Sequence, residues 1–123
     1  MRVLLSIKPE FAVKIFSGEK KFEFRRSIFK NKKVNKIIVY ASSPTQKIIG
    51  EFEIEEIIND KLQSLWKKTK EHAGIPEEYF YRYFNEKQMG YAIKIKKPRK
   101  YKNPVCIKEK YNINPPQSFS YLE

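Results

Sequence analysis

The stretch Gly18-Glu19-Lys20-Lys21-Phe22-Glu23-Phe24-Arg25-Arg26 alternates charged and aromatic residues at the spacing of a β-strand. In a strand, Lys21, Glu23 and Arg25 share one face, and the two phenylalanines lie on the other, where they can pack into a core. Two interpretations follow from this pattern. Either the charged face is solvated and joined by salt bridges, or a glutamate held between two cations on a rigid element binds a polar ligand.

The residues before this stretch predict a strand followed by a helix. Val3–Ile7 is a short apolar run rich in β-formers, and Pro9 is suited to the first turn of a helix because its missing N–H needs no partner there. Apolar residues then recur at helical spacing, and Gly18 is a suitable C-terminal stop.

The residues after it predict further strands and helices without regular βαβα alternation. Residue 50 and residues 55–56 interrupt one long alternating strand, where we expect bends or bulges. The chain after residue 97, here called the tail, contains several prolines, so it is predicted to be mostly extended or turn-like. The predicted elements are strands at 37–41, 47–58 and 89–97, helices over 62–73 and after Pro76, and one possible strand at 105–107. The fold class is therefore α+β, a small β-barrel with helices closing one side.

Composition and charge restrict the kind of partner. The chain has 123 residues, enough for a single domain, and a formal net charge of +12 with 15% aromatic residues. Such a charge favours a polyanion, and the aromatic rings favour RNA or single-stranded nucleic acid, on whose bases they can stack, over a membrane surface. Nothing resembles a glycine-rich phosphate loop.

The counts of cysteine and histidine argue against a disulfide-bonded protein and against a metal-binding one. With Cys106 and His72 as the single residues of their types, an internal disulfide is impossible and a metal site is not expected. No cofactor is predicted either. The N-terminal apolar run is too short for a signal peptide or a membrane span, so we expect a cytoplasmic protein that does not associate with membranes.

Several polar residues outside the central stretch are candidates for the same site. Lys8 ends the first strand, and Ser42 and Ser43 follow another strand, where hydroxyl and N–H groups can bind a phosphate or a base edge. An ordinary turn is the alternative for the two serines. Gln117 and Ser118 lie in residues 114–121 of the tail, which two prolines stiffen, and they offer hydrogen bonds to a ligand. The alternative is that this segment is extended and packs to close the barrel.

Residues 94–102 form a run of cations without an acidic residue. We expect Lys96, Lys97, Arg99 and Lys100 to contact a phosphate backbone, although such a run can also be a solvated strand edge that discourages aggregation. The aromatic residues at 66, 79, 81 and 83 are assigned to the core or its cover rather than to base stacking.

The spacing Gly18-x-Lys20-x-x-Glu23-x-Arg25 resembles the G-x-K-x-x-E-x-R signature of ASCH domains, a branch of the PUA-like superfamily. The order of elements, from Ser6-Ile7-Lys8-Pro9 to the strand at Gly90–Ile93, is similar to that of the compact single-domain archaeal and bacterial members. The resemblance implies a PUA-like barrel and a cleft beside it that binds RNA, with Lys20, Glu23 and Arg25 at or near that cleft.

The resemblance does not decide whether the chain only binds RNA or also catalyses a reaction on it. Some ASCH proteins look like ribonucleases, and one branch hydrolyses N4-acetylcytidine with a Lys, a Thr and a Glu; Glu23 stands here where that Thr is expected. The alternatives to RNA binding are a metal-independent ribonuclease or nucleoside-modification hydrolase that uses Lys20 and Glu23, and a protein-interaction module. The predicted nucleic-acid-binding residues are Lys8, Lys20, Glu23, Arg25, Arg26, Ser42, Ser43, Lys96, Lys97, Arg99, Lys100, Gln117 and Ser118.

Overall fold

The computed structural model describes residues 1–122 and contains strands and helices in mixed order. The strands are β1 (Arg2–Ile7), β2 (Phe22–Arg25), β3 (Lys36–Ala41), β4 (Lys47–Lys61), β5 (Met89–Val105) and β6 (Phe119–Tyr121). The helices are α1 (Pro9–Ser17), α2 (Leu62–Thr69), α3 (Glu77–Tyr83) and α4 (Ile107–Tyr111), with a 3-10 turn at Lys70–His72. The predicted α+β class is confirmed.

The six strands within residues 1–122 form one mixed sheet in the order β2-β5-β4-β3-β1-β6, which curls into a half-barrel. Strands β1 and β3 are parallel, and every other neighbouring pair is antiparallel. The chain passes through α1 and β2 between the two parallel strands, because parallel neighbours need a crossover rather than a tight turn. Strand β2 pairs with β5 and lies at the sheet edge opposite β6.

The long antiparallel pair of β4 and β5, whose strands are connected by residues 62–88, has irregular pairing at the places where the sequence predicted bends or bulges. The pairing register shifts between Ile48 and Gly50 and between Ile54 and Glu56. Strand β5, however, runs to Val105, so its predicted end near residue 97 is wrong; residues 98–105, predicted to be extended or turn-like, are extended and continue the strand. Pro98 and Pro104 fall at positions without a paired residue in the register, where the missing N–H does not break the ladder.

The end of the chain also differs from expectation. Cys106 precedes a short helix, α4, rather than lying within a strand, and Asn112 ends this helix in the left-handed conformation with a φ of 55°. Ile107, at the start of α4, is buried against Tyr40 and the neighbouring apolar residues on one face of the sheet. Further on, β6 pairs with β1 and extends the sheet edge, which is the closing role considered for the tail.

Two apolar cores position the functional site. One lies between the sheet and α1, and includes Ile15 and Phe52. The other joins Phe22 and Phe24 of β2 to the aromatic residues of α3, with the Phe24 ring 5.2 Å from that of Phe80 in an edge-to-face contact. The predicted anchoring of β2 by its phenylalanines is confirmed, and it holds the charged face of β2 in a fixed position between the two cores.

Candidate functional site

A cleft of about 320 Å³ opens beside β2, between α1, α3 and the tail. It is walled by aromatic and aliphatic side chains and contains cationic and polar groups. Its lining residues are Ser6, Ile7, Lys8, Phe11, Lys20, Glu23, Phe24, Arg25, Ser42, Ile75, Tyr79, Tyr83 and Gln117. The charged residues of the G-x-K-x-x-E-x-R spacing therefore meet at one concave surface.

Glu23 and Arg25 are buried, with only 6% and 8% of their surface exposed. The Arg25 guanidinium donates to Glu23 Oε2 at 3.4 Å, to the Ser6 carbonyl at 3.3 Å and to Ser118 Oγ at 2.6 Å. The interpretation of this face as solvated is therefore wrong. Strand β1 and the tail cover it, and the buried charges are tolerated because they are paired and hydrogen-bonded.

The tail is fixed across this face by β1. Ser6 Oγ donates to the Pro116 carbonyl at 2.5 Å, and the Ser6 N–H donates to the Ser118 carbonyl at 3.0 Å. These bonds hold Gln117 at the cleft and bring the Ser118 hydroxyl to Arg25. The tail both extends the sheet and contributes to the site, so its two interpretations are compatible.

Lys20 precedes β2, so it does not follow the alternation of the strand. It is 2% exposed, and its Nζ donates to the Ala73 carbonyl at 2.8 Å. The ammonium also lies 4.8 Å from the ring centroid of Phe24 and 5.5 Å from that of Phe11. These contacts replace part of the lost hydration of the charge.

Burial lowers the pKa of Lys20 from 10.5 to about 8. Loss of hydration is the largest cause, because it disfavours the charged form. The nearby Glu23 carboxylate opposes this change and raises the pKa, whereas the positive charge of Lys14 lowers it. A lysine with this pKa has a substantial neutral fraction only slightly above neutral pH, which is a property of lysines that exchange protons.

Residues 72–75, here called the connector, join the 3-10 turn to α3 and cover Lys20. Gly74 has a φ of 70°, and a Cβ built on it would lie 2.6 Å from Lys20 Cβ, so glycine is required for both conformation and space. Lys14 Nζ donates to the Gly74 carbonyl at 3.1 Å. Ile75 then continues into the wall of the cleft.

Two tyrosines of α3 form another wall. The rings of Tyr79 and Tyr83 are nearly parallel, with planes 9° apart and centroids 6.5 Å apart, and both line the cleft. Lys8 Nζ lies 5.8 Å from the Tyr79 ring centroid. Tyr83 donates from its hydroxyl to the Phe24 carbonyl at 3.2 Å, and burial raises the pKa of this phenol. Sequence reasoning assigned these tyrosines to the core and missed their place in the site.

A model of the ASCH domain family matches residues 5–104. The chain belongs to the ASCH domain family. The resemblance seen in the sequence is thereby confirmed, and the cleft beside β2 lies within an ASCH fold. Its Gly18, Lys20, Glu23 and Arg25 occupy the signature spacing, and three of these four residues line the cleft.

An ASCH relative and a solved ASCH structure support the same assignment. An ASCH domain-containing ribonuclease from Zymomonas mobilis is 33% identical over 122 residues, covering 97% of this chain and 82% of that protein. A crystal structure of ASCH from the same organism has a TM-score of 0.91 at 30% identity, covering 99% of this chain and 87% of that one. Large ribosomal subunit protein uL22 of Ureaplasma parvum is 31% identical over 122 residues, but this chain spans only 39% of its length.

The cleft brings together six of the predicted residues and omits others. Ser118 lies behind it, bonded to Arg25. Arg26 does not line the cleft and donates to the carbonyls of Tyr83 and Asn85 at 2.8 and 2.9 Å, at the C-terminal end of α3 and just after it. Ser43 is exposed on its turn and does not line the cleft. The six predicted residues that line it are Lys8, Lys20, Glu23, Arg25, Ser42 and Gln117.

The cations of the β5 run do not line the cleft. Lys96 and Lys97 are both exposed on β5, beyond the segment that pairs with β2. Arg99 forms a salt bridge with Glu51 at 3.1 Å, and Lys100 lines a separate depression beside α1. Any contact of these residues with a phosphate backbone would lie outside the cleft.

Residues 1–122 contain neither a cluster of metal ligands nor a helix suited to a membrane span. In this range, no three His, Cys, Asp or Glu side chains come together in a way that could hold a metal ion. No helix in the same range is long and apolar enough to cross a membrane.

The contact of Gly74 with Lys20 gives a stability prediction. Gly74→Ala should lower the free energy of unfolding by more than Gly18→Ala. Both sites have positive φ, which costs an alanine about 1–2 kcal/mol, but a Cβ at Gly18 meets no atom within 4 Å, whereas one at Gly74 overlaps the stem of Lys20. Urea denaturation of the two variants measures the difference. Equal losses would show that the connector does not press on Lys20.

Proposed function

We propose that this ASCH protein binds single-stranded RNA and holds one nucleotide of it in the cleft. The observation that carries the proposal is the buried set of Lys20, Glu23 and Arg25 facing a cleft with a tyrosine wall. The net charge of +12 and the relationship to an ASCH domain-containing ribonuclease support it. A volume of about 320 Å³ lies at the small end of ligand sites and suits a single nucleotide rather than a duplex.

The charge balance of the cleft favours a phosphate. Lys8, Lys20 and Arg25 contribute three cations against the one carboxylate of Glu23. Lys20 uses one of its three N–H groups on the Ala73 carbonyl, so donors remain for a ligand. A phosphate oxygen entering this partly dehydrated surface would form charge-assisted hydrogen bonds, which are stronger than neutral ones.

The remaining lining suits a base. The Tyr79 and Tyr83 rings offer flat faces, and stacking of a base on an aromatic side chain contributes about 1–3 kcal/mol. Glu23 accepts hydrogen bonds, while Ser42 and Gln117 can both donate and accept them. We therefore expect the base to lie against the tyrosines and the phosphate to lie nearer the cations.

The binding proposal predicts that Tyr79→Ala weakens the binding of a labelled single-stranded RNA about 5–150-fold, the equivalent of one lost stacking contact. Fluorescence anisotropy measures the dissociation constant. Tyr81→Ala is the matched control, because this tyrosine lies on the same helix but outside the cleft. In the wild type, the log–log slope against salt should be about −0.7 for each phosphate contact.

Equal effects of the two substitutions would contradict the placement of the base on Tyr79. No binding of RNA or single-stranded DNA at low salt would contradict the function itself and favour a protein-interaction module. Circular dichroism of both variants separates loss of binding from loss of fold.

RNA cleavage is a second candidate, favoured by the lowered pKa of Lys20 and by the named activity of the Zymomonas relative. In a metal-independent reaction, the neutral Lys20 amine accepts the proton of a ribose 2′-hydroxyl, whose oxygen attacks the adjacent phosphorus. The bond to the 5′-oxygen breaks, and this oxygen takes up a proton. Arg25 and Lys8 stabilise the negative charge that develops on the phosphoryl oxygens.

This candidate predicts that cleavage of end-labelled RNA rises between pH 7 and pH 8, because the neutral form of Lys20 becomes more abundant toward its pKa of about 8. Lys20→Arg should abolish cleavage, since arginine keeps the charge but stays protonated. Lys47→Arg, at an exposed position outside the cleft, should have no effect. Cleavage is measured by gel electrophoresis with and without a chelator.

Full cleavage by the Lys20→Arg variant would show that Lys20 is not the base. Loss of cleavage in the chelator would contradict a metal-independent reaction. In either case the binding proposal is tested separately by the anisotropy measurement.

A further inference from the structure

A second concave surface lies on the other side of the connector. It has a volume of about 390 Å³ and runs between the start of β2 and the C-terminal end of α2. Its floor is formed by the buried residues Phe22 and Thr69. We call it the basic groove; its charged and titratable lining residues are Lys21, Lys67, Lys68, Glu71, His72 and Lys94.

The cleft and the basic groove share a thin wall. Lys20 lines the cleft and the next residue, Lys21, lines the groove. The Lys21 N–H donates to the His72 carbonyl at 2.8 Å, and the Lys20 ammonium donates to the adjacent carbonyl of Ala73. The wall is therefore made of two short chain segments that are hydrogen-bonded to each other, and the cleft and the groove lie on its two sides.

The charge of the groove is not neutralised by the protein. Lys68 pairs with Asp60 at 2.7 Å and Lys94 pairs with Glu55 at 2.9 Å, so these two lysines are partly compensated. Within residues 1–122, no salt bridge involves Lys21 or Lys67, and both side chains are exposed. Glu71 is the single acidic residue in the lining. The groove therefore presents an excess of positive charge.

The composition of the groove suits a phosphate backbone rather than a base. Its phenylalanine, Phe22, is only 8% exposed and packs into the second core, which leaves the exposed imidazole of His72 as the single ring in the lining that is open to a base. Long lysine side chains at its rim can follow phosphates without reading sequence. By contrast, the tyrosine wall is confined to the cleft.

We propose that the basic groove binds the sugar–phosphate backbone of the RNA strand whose nucleotide occupies the cleft. The inference rests on the proposed RNA binding and adds the path of the strand. Lys21 and Lys67 are the principal contacts, because they carry the uncompensated charge. The expected consequence is that the groove strengthens binding of long RNA but not of an RNA that fills the cleft alone.

The experiment compares a dinucleotide with a single-stranded decanucleotide. In the Lys21→Ala/Lys67→Ala double variant, affinity for the decanucleotide should fall and its salt slope should decrease in magnitude by roughly 0.7 for each lysine. Affinity for the dinucleotide, followed by NMR titration, should stay unchanged. Lys108→Ala/Lys110→Ala is the matched control, because it removes the same charge from exposed positions on α4.

The outcomes separate this inference from the function on which it rests. If the wild type binds both RNAs and the groove variant behaves like the α4 control, the groove proposal is wrong and binding in the cleft stands. If the wild type binds neither RNA, the proposed function is wrong, and the groove proposal fails with it. Selective loss of the decanucleotide by the groove variant supports both.

Discussion

The burial of the Lys20 ammonium is the interaction on which the arrangement of the site depends. A cation that is 98% removed from solvent has lost most of its hydration, so it requires an acceptor and a compensating environment. The Ala73 carbonyl, two aromatic rings and the Glu23 carboxylate supply them. Because these groups come from three separate parts of the chain, satisfying one charge fixes α1, β2 and the connector relative to one another.

The same constraint accounts for the character of the cleft. Glu23 is held by Arg25, and Arg25 is held by the Ser118 hydroxyl, so the charged groups occupy defined positions before any ligand arrives. Fixed donors and a lowered lysine pKa are properties that serve either recognition of a phosphate or proton transfer to and from it. The proposed binding and cleavage functions therefore use one geometry and differ in what Lys20 does.

Much of the fold follows from local sequence pattern, whereas the burial of the site does not. The alternation around Phe22 and Phe24 correctly predicted β2 and its anchored face, since packing of a strand face is a periodic property. That pattern contains no information about Ser118, which covers the opposite face from almost a hundred residues away. For this reason, the interpretation of the charged face of β2 as solvated was wrong.

The tyrosine wall illustrates a second limit. Tyr79 and Tyr83 recur at the same helical spacing as Phe80 and Phe84, so both pairs appear as an apolar stripe in the sequence. In the structure, the two phenylalanines lie in the core and the two tyrosines line the cleft. Which pair takes which position depends on how α3 packs against the rest of the protein. The tyrosine hydroxyls were the available signal, because a phenol favours a position with one polar boundary.

The most direct test is an NMR titration of the Lys20 side chain, alone and with a nucleoside monophosphate. We expect a pKa of about 8 for Lys20 in the free protein, because burial outweighs the attraction of Glu23. Addition of the nucleotide should raise this pKa, since a phosphate near the ammonium favours its charged form. A pKa near the usual 10.5 that does not respond to the nucleotide would contradict both the burial of Lys20 and its place in the binding site.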